Sequence, residues 1–584
     1  MNEPLHEPHR DPAFLDSVLF YVKTRILIMD RIWRERGLRV AVHPKGKILR
    51  DETIIAEVKA PLWTQISEEE FPLTAGKVQN LRVACMALDG IEVPAGEVFS
   101  FWKQLGRTTR KKGFTEGREL RSGCLVPNIG GGLCQVSGLL HAAAVDAGLE
   151  VVERHEHSRM LPGSDLPAER DATVFWNYVD LRFKAAFAWR LQMRLTGTDL
   201  MVSIRAVRDE VDAKKHVAPV VGLPVRAAAD GDCLTCGVVS CFRHPSATKS
   251  HTPALGHSAY LLEGSWPEFQ EWCSRHAHAG DAWFTPLDGI RWKKPNYSWK
   301  APAGVSICHQ TLMTFLRSWK QRKLPVQGAV RQKFLLESQK ALAEKMAREI
   351  DPKARHLVVS QTLLPHLWRA GVLGGRTFDV LVNRWPMKEL QRRLDEAAAR
   401  HPGSDTLVDF RADEDLVHAE SEALAASARI VTPHRAIAAH FGAKTILLDW
   451  KYPEVKTPVA DRSKNASWFF PASALGRKGI YELAEVFRET DRELLILGRA
   501  NEGASEVLQG VKHRAGMIDE LIHCDGLVIP AWVEHEPRLA LRALAMGLPV
   551  IASKACGLAP HLFLHEIDAG DVEALKALLE ECET

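Results

Sequence analysis

No stretch of this chain supplies the ~20 consecutive apolar residues that a membrane-spanning helix requires. The most apolar early run, Val18 to Met29, is interrupted by Lys23 and Arg25 and does not have the form of a secretion signal. Charge of one sign is not in excess either. Against 76 basic residues stand 73 acidic ones, a formal net charge of +3, so electrostatics imply neither a nucleic-acid nor a membrane partner. The eleven cysteines fall at irregular spacing, which without an export signal points to reduced thiols in a cytoplasmic protein rather than a disulfide framework. Internal repeats and low-complexity tracts are missing too. What remains is an ordinary globular composition, 46% hydrophobic and 26% charged, over 584 residues. That length exceeds one core and suggests three or four domains.

Chemistry concentrates first at Gly130-Gly131-Gly132-Leu133-Cys134-Gln135-Val136-Ser137. A glycine run entering a helix lets the backbone approach a ligand closely with N–H groups aimed at it. A cysteine in the first turn sits at the positive end of the helix dipole, which makes Cys134 the best candidate nucleophile. The spacing predicts a helix from Cys134 to Val145, a stop at Ala147-Gly148 and a strand over Leu149–Arg154 leading to His155-Glu156-His157. A helix of about 13 residues runs roughly 20 Å and a strand of about 7 roughly 23 Å, so the return can carry His155 or His157 to the thiol as base and later acid. In this geometry Gly131 and Gly132 would supply oxyanion donors. A buried core thiol beside a tight glycine turn fits the same spacing.

Pro94–Phe101, Leu105–Thr108, Gly130–Ser137, Glu153–Ser158 and Arg170–Val174 together resemble the VanW family in order and spacing over about 76–207. The resemblance implies cysteine L,D-transpeptidase chemistry on peptidoglycan stem peptides. In it Cys134 is the acyl acceptor, His155 or His157 the base, and Arg170 and Asp171 orient. The chain departs from the family after Ser137, where Gly138 and Leu139 replace two threonines.

Residues 1–75 read as an N-terminal region with a helix from Asp11 to Arg36, its histidines and arginines on a solvated surface. Residues 76–207 form the VanW-like unit, and 208–249 a linker carrying a Cys/His cluster. In that cluster Cys233, Cys236, Cys241 and His244 lie within twelve residues, a spacing that suits Zn²⁺ or, with a remote fourth thiolate, an iron–sulfur cluster. Cys308-His309 could supply the remote ligand; a metal-free thiol loop or a redox Cys-x-x-Cys pair fits as well.

From about 250 onward short apolar strands alternate with helices. Strands are expected at 356–360, 379–382, 428–432, 444–448, 493–498, 526–530 and 549–553, with helices over Ser338–Ile350 and Pro386–Arg400. Such alternation makes doubly wound sheets, one over 250–455 and one over 456–584. Three segments, Leu424–His434, Leu475–Ile480 and Pro530–Val550, resemble GT-B glycosyltransferases. The resemblance implies a nucleotide-sugar site near Arg477, Lys478 and Gly479, with Glu534 at a strand's carboxyl end. In active relatives a second Glu lies eight residues on, where this chain has Arg542, and an Arg stands where it has Ala472; Glu536 is a substitute carboxylate. His434 and the tryptophans of 266–319 read as core or surface residues.

The expected fold class is therefore α/β: a mixed α+β VanW-like domain, then a GT-B arrangement of two Rossmann-like doubly wound domains. Three functions follow. One is a cell-envelope protein performing Cys-dependent acyl transfer, fused to a degenerate glycosyltransferase. Another is a glycosyltransferase whose VanW-like unit binds the acceptor glycan or envelope precursor. The third is a scaffold with both sites inert.

Overall fold

The computed structural model describes residues 14–36, 40–63, 71–121, 124–156, 170–214, 257–325, 328–408, 411–455, 467–498, 502 and 504–581. The chain divides into two compact units. The first is Met1–Gly256 with Asp351–Arg355 and Gly371–Arg376; the second holds His257–Ile350, His356–Ala370 and Thr377–Thr584.

In the first unit the strands are β1 (Thr53–Pro61), β2 (Glu92–Val93), β3 (Val98–Ser100), β4 (Glu116–Arg121), β5 (Cys124–Ile129), β6 (Glu150–Glu153), β7 (Arg182–Lys184), β8 (Trp189–Leu195) and β9 (Asp199–Ala206). An antiparallel sheet runs in the order β1-β9-β8-β2, a second one β3-β7-β6, and β4 pairs with β5 as a hairpin. β8 shows why one face is buried: Trp189, Leu191, Met193 and Leu195 alternate inward with polar residues outward. Helices Phe71–Leu88 and Leu133–Asp146 complete this core with Val78, Leu81, Val136 and Leu139. The expected strand over Leu149–Arg154 is β6.

The N-terminal helix forms over Phe14–Arg34. Leu19, Ile26, Met29 and Trp33 are exposed on it. Arg31, expected on a solvated surface, instead points inward and bonds both carboxylate oxygens of Glu153 at 2.7 Å. Charge pairing thus ties the helix to the unit.

The second unit contains β10 (Ser258–Leu261), β11 (Ala282–Thr285), β12 (Ser306–His309), β13 (His356–Ser360), β14 (Thr377–Leu381), β15 (Arg429–Thr432), β16 (Thr445–Leu447), β17 (Ser467–Phe470), β18 (Glu493–Ile496), β19 (His513–Ala515), β20 (Gly526–Ile529), β21 (Val550–Ser553) and β22 (Leu564–Ile567). The first seven form one sheet in the order β12-β11-β10-β13-β14-β15-β16, the last six another in the order β19-β18-β17-β20-β21-β22. Every pair in both sheets is parallel. Both orders reverse beside the first strand, at β10/β13 and β17/β20, the doubly wound pattern that opens a ligand crevice at the strands' carboxyl ends. β17, β20 and β21 are buried along their whole length, as parallel strands covered on both faces must be. The GT-B arrangement of two Rossmann-like sheets is therefore present.

Candidate functional sites

In the first unit β5 ends in the glycine turn, and helix Leu133–Asp146 starts from Gly132 in the left-handed region at φ +97°. Close packing demands glycine here. A Cβ on Gly132 would stand 2.2 Å from Lys77 Cγ, and one on Gly131 would stand 2.4 Å from the Gly117 carbonyl. The turn is held by Asn80, fully buried, whose Nδ2 donates to the Gly131 and Thr115 carbonyls at 2.9 and 3.0 Å. Its Oδ1 accepts from the Thr115 N–H at 2.8 Å.

Cys134 is half-buried, and its sulfur lies 3.6 Å from the Thr173 hydroxyl. The Thr173 N–H donates to the His155 carbonyl at 2.8 Å, so β6 does return to the thiol. The His155 ring, however, lies 3.1 Å from Glu153, within the Arg31 ion-pair cluster. Burial alone would raise the Glu153 carboxyl, but the Arg31 guanidinium bonded to it holds it below the usual carboxylate range. His157 lies outside the described residues. Arg170 pairs with Asp146 at 2.9 Å, at the opposite end of the helix that begins beside Cys134 and about 18 Å along it. The Asp171 carbonyl accepts from Arg154 Nε at 2.7 Å.

The oxyanion expectation needs correcting at Gly131. Its N–H closes the turn on the Asn128 carbonyl at 2.9 Å and has no donor left for a substrate. The N–H groups of Gly132 and Leu133 carry no hydrogen bond among the described residues. Next to them Gln135 donates to the Pro61 carbonyl at 2.8 Å, while its buried Oε1 has no partner among the described residues. His141, two turns along the helix, was not singled out from the sequence. Burial, then the nearby Arg154, pushes its imidazole down to about 4, so it is neutral at pH 7.

The second unit holds a cavity of about 420 Å³ lined by residues from both sheets' halves, among them Arg331, Gln339, Arg384, Thr406, Arg477 and His535. Arg384 follows β14 at its carboxyl end. Its Nε and Nη2 are buried without a hydrogen-bond partner among the described residues, although Nη2 lies 3.5 Å from the fully buried Glu420. Glu420 is anchored by Gln361 Nε2 at 3.2 Å and by the Met387 N–H. Gln339 Oε1, Thr406 Oγ1 and His535 Nε2 are likewise buried and unpartnered among the described residues. Burial, then the Lys478 charge, pushes the His535 imidazole well below its ordinary range, so the ring is neutral.

Lys478 and Gly479 follow β17 and lead into helix Ile480–Arg488 as expected, but Lys478 is committed to Glu534 at 2.7 Å. Glu534 also accepts from the N–H groups of His535 and Glu536 at 2.9 and 3.0 Å. Burial would raise its carboxyl; Lys478 and then the Glu536 N–H bring it down to about 2. The expected diphosphate lysine is thus neutralised by Glu534; the arginines lining the cavity are Arg331, Arg477 and Arg384, the last itself 3.5 Å from the Glu420 carboxylate. Glu536 pairs with Arg538 at 3.1 Å, and with Glu534 both line a recess of about 320 Å³. Arg542, half-buried on helix Arg538–Ala545, lines neither space. His434 is core, as read: its Nε2 lies 3.1 Å from the Glu534 and Ala555 carbonyls.

Cys233, Cys236, Cys241 and His244 lie outside the described residues. Among those described, no group of three or more His, Cys, Asp or Glu could hold a metal ion, and Cys308 and His309 bond Glu349 and Thr285 instead. Cys85, Cys134, Cys273, Cys308, Cys524 and Cys556 are free thiols. No helix among the described residues is long and apolar enough to cross a membrane.

Residues 76–206 match the family described as VanW like protein. Over 105 residues the chain is 40% identical to "Uncharacterized protein YoaR" of Bacillus subtilis (strain 168), covering 18% of this chain and 34% of that one. Over 111 residues it is 32% identical to "Vancomycin B-type resistance protein VanW" of Enterococcus faecalis (strain ATCC 700802 / V583), covering 18% and 40%. The match thus spans between a third and two fifths of these relatives' length. Solved structures similar to the chain include sucrose-phosphate synthase from Thermosynechococcus elongatus (14% identity, TM-score 0.36, 56% of this chain and 88% of that one). Another is Anabaena Alr3699/HepE in complex with UDP and glucose (14% identity, TM-score 0.33, 56% and 89%).

Proposed function

We propose, from a VanW-like domain at 76–206 joined to a GT-B arrangement, that this protein is a glycosyltransferase whose donor is a nucleotide sugar bound in the cavity of the second unit. One observation carries the reading: a cavity at the strands' carboxyl ends is lined by three arginines and by buried polar atoms with no protein partner. Leaving such a group unpaired costs roughly 1–3 kcal/mol, a cost removed when a ligand supplies the partner. A diphosphate would take the guanidinium donors of Arg384 and Arg477, Thr406 and neutral His535 have the polarity to meet sugar or ribose hydroxyls, and Lys478–Glu534 stiffens the loop between them. In transfer, the bond from the sugar's anomeric carbon to the diphosphate breaks. A bond to the acceptor oxygen forms, and the acceptor's proton leaves with the nucleoside diphosphate. The VanW-like domain binds the acceptor, an envelope precursor or glycan. Titration calorimetry with UDP- and GDP-sugars tests this. Saturable binding that Arg384→Gln weakens supports it, and no heat with either nucleotide class rejects it.

A second reading concerns the first unit, where Cys134, the N–H groups of Gly132 and Leu133, and the orphan acceptor Gln135 Oε1 sit together. That set suits attack by the sulfur on a peptide carbonyl: donors for the oxyanion, an acceptor for the substrate amide. His155 would act as base only after its ring leaves Glu153. Preferential alkylation of Cys134 by a dilute thiol reagent at mildly acidic pH supports acyl transfer; uniform labelling of the free cysteines favours a binding role.

A further inference from the structure

The near balance of charge over the whole chain conceals a local excess. From Gly289 to Leu336 the sequence has ten Lys or Arg and not one Asp or Glu. This stretch carries helix Thr311–Gln321, on which Thr314 is the one buried residue. Leu312, Phe315, Leu316 and Trp319, at helical i, i+3, i+4 and i+7 spacing, are 73%, 40%, 51% and 55% exposed. Trp292, also exposed, packs edge-on against Phe315 with ring centroids 4.9 Å apart and extends the apolar face. Around it the ammonium of Lys323 sits 3.7 Å over the Trp319 ring, and Lys293, Lys294, Lys320 and Arg322 are exposed. None of these five cations is in an ion pair among the described residues.

We propose that this face docks on an anionic lipid bilayer, with the helix lying in the interface. A short helix with Leu, Phe and Trp on one side and lysine and arginine around it matches the chemistry of a charged lipid surface. The apolar side chains enter the acyl boundary while the cations meet headgroup phosphates. Nucleic acid would satisfy the cations but leave Leu312 and Leu316 in water, and a second copy of the chain would set like charges against each other. The inference goes beyond the donor reading and does not depend on it.

The test is co-sedimentation of the full chain with vesicles of phosphatidylcholine alone or mixed with phosphatidylglycerol. The protein should pellet with the mixed vesicles, stay in solution with the neutral ones, and be released by salt. Leu312→Ser with Trp319→Ser, and separately Lys320→Glu with Lys323→Glu, should each weaken binding by roughly tenfold or more. These positions are exposed, so unchanged thermal melting should accompany the loss. The proposal is overturned if the wild-type chain does not pellet, or pellets equally with neutral vesicles. Undiminished binding of both variants overturns it too. So does concentration-dependent dimerisation, or RNA binding, that the variants erase while vesicle binding is absent.

Discussion

The two candidate sites differ in how their buried polar groups are satisfied. Around the glycine turn Asn80 uses both its amide oxygen and nitrogen on backbone groups, and Ser137 donates to the Ala172 carbonyl at 2.6 Å. Among the described residues Gln135 Oε1 has no partner, nor do Thr74 Oγ1 and Arg82 Nη2 on the helix that carries Asn80. In the second unit Gln339, Arg384, Thr406 and His535 all keep an orphan atom, and all line one cavity. The same principle reads the two differently. Satisfied polar groups fix a shape, whereas a cluster of unsatisfied ones destabilises the empty protein and is retained for something that binds. The glycine turn is built for rigidity and the cavity for occupancy.

The largest test of this contrast is acidification. His434, nearly all buried, is brought by burial from its ordinary 6.5 to about 4. Its neutral form is the one the fold accepts. Stability is whole above about pH 6.5, falls as pH drops toward 4 while only the unfolded chain takes up the proton, and levels off below that. The loss amounts to about 3 kcal/mol. His366, driven down to about 4 by burial and then Arg369, adds to this step in the second unit. His141 contributes a similar step in the first. Glu534 adds a later one, since a carboxyl lowered to about 2 stabilises above its ordinary 4.5 and loses that contribution between 4.5 and 2. Denaturant melts across this range should show the second unit failing first, and His434→Gln should flatten the step between pH 6.5 and 4. A pH-independent profile would mean these groups are not shielded as described.

Replacement of Asn80 by Ala comes next. It removes three hydrogen bonds and leaves the Gly131 carbonyl and the Thr115 N–H unpaired, while the Thr115 carbonyl keeps the Gly130 N–H, so stability should fall by about 2–3 kcal/mol in denaturant melts. Nucleotide binding should be untouched. Arg384→Gln reverses the pattern. Affinity for a nucleotide sugar should drop by roughly 10- to 100-fold, the range of a lost charge-assisted hydrogen bond, as measured by calorimetry. Equal donor affinity in both variants would remove Arg384 from the site.

Much of this architecture is legible in the residues themselves. β13 falls on the expected 356–360, and β14, β15, β16, β18, β20 and β21 fall within two residues of expectation; all but the half-exposed edge strand β16 are largely buried, and such parallel strands read as apolar runs between turns. β10, β11 and β12 are four residues each, mixed in character, and at the β12 edge half exposed, so periodicity does not mark them. The glycine-turn helix is legible within a residue at each end, but the fate of the Gly131 N–H is not, since its partner is set by how the turn closes. Lys478 and Glu534 each read as ligand groups; only the fold shows them spent on each other. Arg384 has no motif around it, although its place after a parallel strand, where such sheets bind ligands, is a signal sequence reasoning could have used.

The smallest effect separates the two kinds of site most cleanly. Thr406→Val and Gln339→Leu replace an orphan polar group by an apolar one of similar shape. If the cavity is kept polar for a ligand, each variant should be as stable as the parent or up to about 1 kcal/mol more stable, since a desolvated group without a partner has been removed. Each should bind the nucleotide sugar more weakly, by roughly three- to tenfold for a neutral hydrogen bond. Gain of stability with loss of affinity is the signature of a binding site; in a structural core the hydroxyl or amide would be missed by the fold itself. Calorimetry and denaturant melts on the same preparations measure both quantities. Destabilisation of both variants by more than about 1 kcal/mol would show that protein groups or bound water already satisfy these atoms, and the contrast between turn and cavity would fail.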